Sequence, residues 1–274
     1  MISFPNCKIN LGLWVTERLL DGYHGIQSIM YPIPWTDALE IVPSKSLETT
    51  FTVTGERIDG PLDKNLCYRA WHLMSDIYKI PPVSMHLHKN LPTGAGLGGG
   101  SSDASFTLKM LNDLFMMKLD NDTLRSLSKK LGMDCPFFID NVPAFASGRG
   151  EIVKPIELNL DGYYIYVVKP PISVGTVDAY SGIKAKQRSM SMEGLASLPV
   201  YEWKGVLTND FEKSVLGCYS EIGDIKKTMY DRGAVFAAMT GTGSAVFGLF
   251  EEEPITLEFP ECRVFKTLLG SHSQ

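Results

Sequence analysis

The first residues of the chain alternate between apolar side chains and polar or small ones. From Ile9 to Val15 every second residue is apolar, and Lys8 and Asn10 lie on the opposite face. A period of two is typical of a β-strand with one buried face. Shorter apolar runs, divided by Pro, Asp and Ser, predict further strands near residues 28–33, 38–42 and 49–53. The N-terminal part of the chain is therefore expected to form a β-rich layer.

A helix, a strand and a second helix are predicted next, with a glycine-rich segment between the last two. Asn65 is a favourable N-cap for a helix with an apolar stripe, and the pair Pro81-Pro82 ends that helix. Residues 83–88 alternate as a strand does, and helical apolar spacing returns over residues 108–115. The glycine-rich segment is thus expected to join the end of a strand to the start of a helix.

The rest of the chain again mixes helical and strand patterns. A short helix is expected to begin with Asp122 as its cap and to end at Gly132. Later patterns predict a strand over 163–169, helices over 209–216 and 219–232, and strands over 234–239 and 245–250. We expect two domains, residues 1–153 and 154–274, because the chain exceeds the usual size of one domain.

Composition and charge exclude several classes of protein. The 274 residues are 44% apolar and 21% charged, an ordinary globular mixture. A net charge of −5 without basic clusters argues against a nucleic-acid partner. No run approaches the roughly 18 apolar residues of a membrane span, and no leader pattern is recognised, so we expect a cytoplasmic protein without a membrane partner. The oligomeric state is left open.

Metal and disulfide chemistry find little support. The five cysteines are widely spaced and form no Cys-x-x-Cys pair, which argues against a disulfide framework and against a zinc site. His86 and His88 share one face of a predicted strand, but no third ligand lies near them in the sequence. A transition-metal site is therefore not expected.

The richest candidate chemistry lies in the glycine-rich segment, which we call the glycine loop. Five glycines occur within seven residues, and two serines follow them. Glycine lets successive backbone N–H groups converge on phosphate oxygens, and the N-terminus of the following helix adds partial positive charge. A flexible surface loop is the plain alternative. The residues expected to bind the phosphates of a nucleoside triphosphate are Pro92, Thr93, Gly94, Ala95, Gly96, Leu97, Gly98, Gly99, Gly100, Ser101 and Ser102.

Three better-known nucleotide motifs fit this chain less well. A Walker A loop requires Gly-Lys before Ser or Thr, and no Gly-Lys pair occurs in the chain. Gly94, Gly96 and Gly99 match the dinucleotide pattern, and Asp120 lies at about the expected distance. Asp120 falls between two helical patterns, however, where it is expected to cap a helix. The His-Arg-Asp and Asp-Phe-Gly signatures of protein kinases are missing as well.

Three motifs resemble those of the galactokinase, homoserine kinase, mevalonate kinase and phosphomevalonate kinase (GHMP) superfamily. In chain order they are Pro5-x-x-Lys8-Ile9-Asn10-Leu11, the glycine loop from Pro92 to Ser102, and Thr240-Gly241-Thr242-Gly243-Ser244. The resemblance implies a two-domain GHMP kinase fold of the α+β class. It implies an N-terminal α/β ATP-binding domain of ribosomal-protein-S5-domain-2-like type, a ferredoxin-like C-terminal domain, and an acceptor cleft between them.

Three further motifs resemble one branch of the superfamily, whose members phosphorylate a cytidine diphosphate alcohol. They are Asp21-Gly22-Tyr23-His24, Gly132-x-Asp134-x-Pro136-Phe137-Phe138 and Gly148-x-Gly150-Glu151. The resemblance implies ATP-dependent phosphorylation of the 2-hydroxyl of a methylerythritol portion, with Lys8 and Asp134 as the catalytic pair. The implied substrate-binding residues are Asn10, Tyr23, His24, Asp134, Thr176 and Tyr180. Those implied for ATP, besides the glycine loop, are Asn65 and Lys89 near the adenine and Thr240, Gly241, Thr242 and Gly243 near the phosphates.

Elementary chemistry supports the same roles. An attacking alcohol must lose its proton, and a carboxylate within reach typically contributes about 10²–10⁴-fold. Asp134 is a weak base that would mainly orient the hydroxyl, and Lys8 would keep it ionised and stabilise developing charge. A purely structural carboxylate in the turn before Pro136 is the alternative. Tyr23 and Tyr180 offer faces for stacking a pyrimidine, although both also suit an ordinary core.

The metal and the alternatives complete the expectations. Transfer from ATP requires Mg²⁺, yet no carboxylate stands out as its ligand, so phosphate oxygens, waters and Ser102 are the candidates. Three other functions stay open. They are a different small-molecule kinase of the superfamily, acting on mevalonate or homoserine, a nucleotide-binding sensor without catalysis, and an oxidoreductase that uses the dinucleotide match.

Overall fold

Three four-stranded sheets and the helices that cover them make up the structure, a computed structural model. It describes residues 1–20, 22–58, 60–183, 185–186, 188, 190–255 and 257–270, without the side chains of residues 176 and 177. Asp21, a residue of one predicted motif, therefore lies outside the described residues. The same holds for the side chain of Thr176, a predicted substrate contact.

Strands dominate the N-terminal part of the chain, and helices alternate with strands after it. The strands are β1 (Ile2–Ser3), β2 (Asn6–Arg18), β3 (His24–Thr36), β4 (Ala38–Pro43), β5 (Thr50–Gly55), β6 (Val83–Lys89), β7 (Ala144–Ser147), β8 (Ile152–Pro155), β9 (Tyr164–Lys169), β10 (Phe236–Met239), β11 (Val246–Phe250) and β12 (Arg263–Leu268). The α-helices are α1 (Leu66–Tyr78), α2 (Gly99–Leu114), α3 (Asn121–Ser128), α4 (Cys135–Asp140), α5 (Thr176–Tyr180), α6 (Met192–Leu195), α7 (Glu212–Cys218) and α8 (Ser220–Asp231). None of these described helices has the length and apolar character needed to cross a membrane.

The first sheet carries the helix that follows the glycine loop. Its strand order is β1-β4-β6-β5, with β5 and β6 parallel and the other pairs antiparallel. The apolar residues of α1 and α2 pack against it in one buried cluster. Asn65 caps α1 as predicted, since its side-chain oxygen accepts from the N–H of Cys67 at 2.9 Å. The strand, loop and helix predicted around the glycines are confirmed.

The second sheet, in the order β2-β3-β7-β8, is built on the long hairpin of β2 and β3. The predicted strand around Ile9 is present, but the expectation of one exposed face is wrong, because every residue from Asn6 to Val15 is buried. The polar face of β2 is covered by the glycine loop and by the turn at Thr240, which hydrogen-bond Lys8 and Asn10. Lys8 and Asn10 are thus interior residues.

The third sheet is antiparallel, with the strand order β10-β11-β9-β12. Counted along the chain from β9, this is the order 4-1-3-2, which agrees with the ferredoxin-like expectation. Helix α8 packs on β10 and β11. The expectation that β11 would be the last strand is wrong, since β12 follows it and pairs with β9 along six residues.

The two halves of the chain share a hydrophobic core. One buried cluster contains Ile9 and Leu11 of β2 together with Trp203 and Phe247 from the C-terminal half. The predicted division between residues 153 and 154 falls within β8. The two predicted domains therefore pack against each other through this cluster.

The boundaries of the third helix differ from the prediction. Helix α3 begins at Asn121 with Asp120 as its N-cap, whose carboxylate accepts from the N–H of Thr123 at 2.8 Å. Asp122 was expected to be the cap, and it instead pairs with Arg125 inside the first turns. The role of Asp120 as a helix cap, which was predicted in place of a dinucleotide contact, is confirmed.

Trp203 offers a test of the shared core. It is fully buried, packs edge-on against Phe236 at 5.5 Å between ring centroids, and donates to the carbonyl of Leu198 at 2.9 Å. We expect Trp203→Ala to lower the free energy of unfolding by about 3–5 kcal/mol in urea titrations, because it opens a large cavity. Tyr201 is 66% exposed, and its replacement by Ala should change stability by less than about 0.5 kcal/mol. Equal losses in both variants would contradict the shared core.

Candidate active site

The glycine loop forms one wall of a cavity of about 550 Å³. Gly94, Gly96 and Gly98 have φ angles of +60°, +76° and +70°, a region that residues with a Cβ rarely adopt. Gly98 caps α2 without any side-chain hydrogen bond, so the first N–H groups of that helix are left for a ligand. Asp134 lines the same cavity. A helix N-terminus open to a cavity is a suitable site for an anion.

Lys8 and Asp134 meet at the edge of this cavity. Lys8 Nζ lies 3.4 Å from Asp134 Oδ2 and donates to Asn10 Oδ1 at 2.5 Å and to the carbonyl of Gly96 at 3.0 Å. The Lys8 side chain is 3% exposed and the Asp134 side chain 32% exposed. The cation is therefore fixed in the interior by three acceptors, while the carboxylate at the N-terminus of α4 remains accessible from the cavity.

The turn between β10 and β11 docks onto the glycine loop. Thr240 Oγ1 accepts from the N–H of Asn10 at 2.9 Å and donates to the carbonyl of Gly96 at 3.1 Å. Asn209 Nδ2 donates to the carbonyls of Met239 and Gly241, each at 2.8 Å, which fixes the turn in place. The described cavity wall includes none of the residues from Thr240 to Gly243. The turn thus contacts the loop directly, and its approach to the phosphates stays a prediction.

Asn65 and Lys89, the residues expected near the adenine, both line the cavity. Asn65 also borders an adjoining cavity of about 420 Å³ next to the end of β5. The Lys89 side chain is 3% exposed and pairs with Asp37 and, at 2.7 Å, with Asp103. Burial works against the charge of Lys89, but Asp103 and Asp37 outweigh it and raise the pKa of that ammonium group. The pKa of the Asp103 carboxyl is raised, and burial is the main cause.

The aromatic residues expected to hold a pyrimidine lie near one another. The rings of His24 and Tyr180 stack with centroids 4.9 Å apart, and Tyr180 packs edge-on against Phe211 at 4.8 Å. Tyr23 is 58% exposed, and the guanidinium of Arg149 lies 4.7 Å from its ring centroid. The structure thus brings Tyr23, His24 and Tyr180 to one region.

Ser102, the residue suggested for a metal, is badly placed for that role. Its side chain is fully buried, its hydroxyl has no hydrogen-bond partner among the described residues, and it does not line the cavity. Ser101 does line the cavity. The described part of the chain contains no group of three or more His, Cys, Asp or Glu that could hold a metal ion.

Three residues near the site were missed in the sequence. Arg149 occupied a variable position of a quoted motif and was given no role, although an arginine next to an exposed tyrosine suits an anionic substrate. Asp37 and Asp103 were missed because their partner Lys89 lies 52 and 14 residues away. A buried aspartate between strands gives no local signal, but Asp103 directly after the two serines of the loop was a visible candidate.

Comparison with known proteins agrees with this geometry. The GHMP kinases N terminal domain matches residues 65–149, and the GHMP kinases C terminal domain matches residues 197–257. The 4-diphosphocytidyl-2-C-methyl-D-erythritol kinase of Parabacteroides distasonis is 49% identical over 92% of each chain. The protein of that name from Bacteroides fragilis strain ATCC 25285 is 46% identical over 98% of this chain and 100% of its own.

A solved structure is similar over nearly the same length. The crystal structure of a 4-(cytidine 5′-diphospho)-2C-methyl-D-erythritol kinase superposes with a TM-score of 0.76 at 31% identity, covering 91% of this chain and 90% of that one. Both family models and full-length relatives therefore agree with the resemblance seen in the motifs. The chain belongs to the GHMP kinase family.

Proposed function

We propose that this protein transfers the γ-phosphoryl group of ATP to the 2-hydroxyl of 4-diphosphocytidyl-2-C-methyl-D-erythritol, a step of non-mevalonate isoprenoid synthesis. The observation that carries the proposal is the pair of Lys8 and Asp134, 3.4 Å apart at the edge of the glycine-loop cavity. Relatives named 4-diphosphocytidyl-2-C-methyl-D-erythritol kinase, which are 46–49% identical over most of the chain, support the same acceptor. A kinase of this family takes ATP as its co-substrate.

The glycine loop supplies positive potential to the ATP phosphates through its backbone. Residues from Pro92 to Ser101 line the cavity, and the first N–H groups of α2 are free of side-chain caps. These dipoles are already oriented, so they stabilise the charge of the transferring group without having to reorganise. Asn65 and the adjoining cavity near β5 suit the adenosine portion.

Lys8 and Asp134 act on the acceptor hydroxyl. Asp134 accepts a hydrogen bond from the hydroxyl, orients it toward the phosphorus and receives its proton late in the transfer. Lys8 offsets negative charge that develops between the attacking oxygen and the phosphoryl group. Asn10 holds Lys8 in place and is itself held by Ser28 at 2.7 Å. Asn10 also remains a proposed contact of the acceptor.

The cytidine end of the substrate is proposed to lie against Tyr23, His24 and Tyr180. Stacking on such rings is worth about 1–3 kcal/mol per base, and a histidine can hydrogen-bond the edge of a pyrimidine. Arg149, 4.7 Å from the Tyr23 ring, supplies a cation close to where the diphosphate would pass toward Asp134. Thr176 remains a predicted contact.

Magnesium fits this site as a companion of the nucleotide. A hard cation prefers oxygen ligands and keeps several waters, and the described residues offer no cluster of carboxylates to hold it alone. Ser101, which lines the cavity, offers the protein oxygen proposed to complete its shell. The ion would neutralise phosphate charge during transfer.

We also keep, as part of the proposal, the division into an ATP domain of residues 1–153 and a second domain of residues 154–274.

Turnover with a panel of acceptors tests the proposed function. We expect ADP release from ATP and Mg²⁺ with 4-diphosphocytidyl-2-C-methyl-D-erythritol and none above background with mevalonate or homoserine. Acceptors lacking cytidine leave the aromatic region empty and lose the binding energy that orients the hydroxyl. ADP release with mevalonate or homoserine alone would refute the proposed acceptor, and ATP binding without any turnover would indicate a sensor.

Two substitutions test the catalytic pair. Lys8→Met and Asp134→Asn should each lower kcat by at least about 10²-fold, because each removes a group that acts in transfer. ATP affinity, measured by calorimetry without acceptor, should change little. Lys154, which is exposed and pairs with Glu193, provides the matched control Lys154→Met with unchanged kcat. If kcat survives in both site variants, the assigned roles are wrong.

Gly96 tests the docking of the loop. A Cβ atom at this residue would lie 2.1 Å from the carbonyl oxygen of Thr240, in addition to the strain of a φ of +76°. We expect Gly96→Ala to raise the KM for ATP more than about tenfold, since a displaced loop loses converging N–H groups worth at least 1.4 kcal/mol. Gly94 has a similar φ of +60° but nothing nearer than 3.9 Å, so Gly94→Ala should have a much smaller effect. Equal effects of the two substitutions would show that backbone conformation, and not the contact with Thr240, determines the KM for ATP.

A further inference from the structure

A buried group of three charges lies next to the glycine loop, with two of its members in the cavity wall, and takes no part in the proposed chemistry. This charge triplet consists of Lys89, the last residue of β6, with Asp37 and Asp103 on either side. The lysine side chain is 3% exposed, and the two carboxylates are 0% and 3% exposed. Burying charges is costly unless good geometry and further hydrogen bonds compensate. A lysine that only contacted adenine would not require two buried carboxylates.

Asp37 connects the triplet to the start of the loop. Its Oδ1 accepts from the N–H groups of Asn90 at 2.6 Å and Leu91 at 2.7 Å, and its Oδ2 accepts from Lys89 Nζ. The N–H of Asp37 donates to the carbonyl of Pro5 at 2.9 Å. The first residues after β6 are therefore held by the N-terminal strands rather than by the loop itself.

Asp103 connects the triplet to the helix after the loop. Its Oδ2 accepts from Lys89 Nζ at 2.7 Å, while its Oδ1 has no hydrogen-bond partner among the described residues. A Cβ atom at Gly99, the first residue of α2, would lie 3.1 Å from the same Nζ. The ammonium group thus lies against the first turn of α2 and is joined to the second turn by one hydrogen bond.

We propose that Asp37, Lys89 and Asp103 position the phosphate-binding loop by tying both of its ends to one buried ammonium group. The inference rests on the proposed function, since it requires the loop to bind the phosphates of ATP. The three are positioning residues that act through the loop. Because N–H groups converge on phosphates only while both loop ends are held, loss of one tie should weaken binding of any polyphosphate, whatever base it carries.

Two isosteric substitutions with the same change in charge separate this role from others. In Asp37→Asn the amide oxygen is required by the N–H groups of Asn90 and Leu91, so its NH₂ must face Lys89 and the tie is lost. In Asp103→Asn the amide oxygen is free to face Lys89, and the tie is kept. Asp103→Leu removes that tie at similar volume.

The readouts are the KM for ATP and the dissociation constant of inorganic tripolyphosphate from calorimetry, both measured on the full chain. We expect Asp37→Asn and Asp103→Leu to raise both constants about tenfold, as loss of a hydrogen bond to a charged group implies. Asp103→Asn should stay within about threefold of the wild type on the same grounds. The KM for the cytidine diphosphate alcohol should not change in any variant. A role in stability alone would lower the urea midpoint and the active fraction without changing either constant.

Three results would overturn the proposal. The first is that Asp37→Asn and Asp103→Asn have equal constants, and the second is that Asp37→Asn leaves both constants unchanged. The third is a change in the KM for ATP without a change in tripolyphosphate binding, which would assign the triplet to the adenine. The wild type could instead fail to turn over the alcohol but still bind tripolyphosphate, with that binding lost in Asp37→Asn. This result would refute the proposed function and leave the positioning role intact.

Discussion

The glycine loop can present its N–H groups to an anion only if its carbonyl groups are satisfied on the opposite side. At three consecutive residues of the loop, Ala95, Gly96 and Leu97, protein donors meet this requirement. The carbonyl of Ala95 accepts from the N–H of Ala245 at 3.2 Å, and that of Leu97 from the N–H of Lys8 at 3.0 Å. The carbonyl of Gly96 accepts from both Lys8 Nζ and Thr240 Oγ1. Buried carbonyls without such donors would each cost about 1–3 kcal/mol. The phosphate site therefore depends on β2 and on the turn after β10 as much as on its own glycines.

This arrangement explains which parts of the structure could be predicted from the sequence. Local patterns sufficed for the strand and helix that flank the loop, and for the cap at Asn65, because the atoms involved lie within a few residues of one another. The pairing of Lys8 with Asp134 followed only from the resemblance of two motifs. The exposure of β2 was predicted wrongly for a physical reason. Period-two alternation reports the chemistry of a strand face, and here the polar face is buried because the polar residues are the site.

The buried charges show the limit of such reasoning more clearly. The resemblance implied a position near the adenine for Lys89, and it gave no sign of the two carboxylates that pair with this lysine. Its two carboxylates come from the turn before β4 and from α2, and only the folded chain brings them together. Likewise Ser102 carries a hydroxyl next to the loop, but the helical phase of α2 turns it inward and leaves Ser101 on the cavity. A shift of one residue on a helix changes the direction of a side chain by about 100°.

An acidic protein that binds two polyanionic substrates must concentrate positive potential without a cluster of basic side chains. Backbone dipoles do this at the loop, and the proposed catalytic cation, Lys8, is held beside it by Gly96, Asn10 and Asp134. A freely moving lysine would pair with the nearest phosphate, whereas a buried and fully bonded one keeps its distance from Asp134 whether or not ATP is bound. Its partner Asp134 is ten times more exposed, as a group that contacts the acceptor must be. The asymmetry of burial within the pair thus supports the proposed division of roles, with orientation by the carboxylate and electrostatic stabilisation by the lysine.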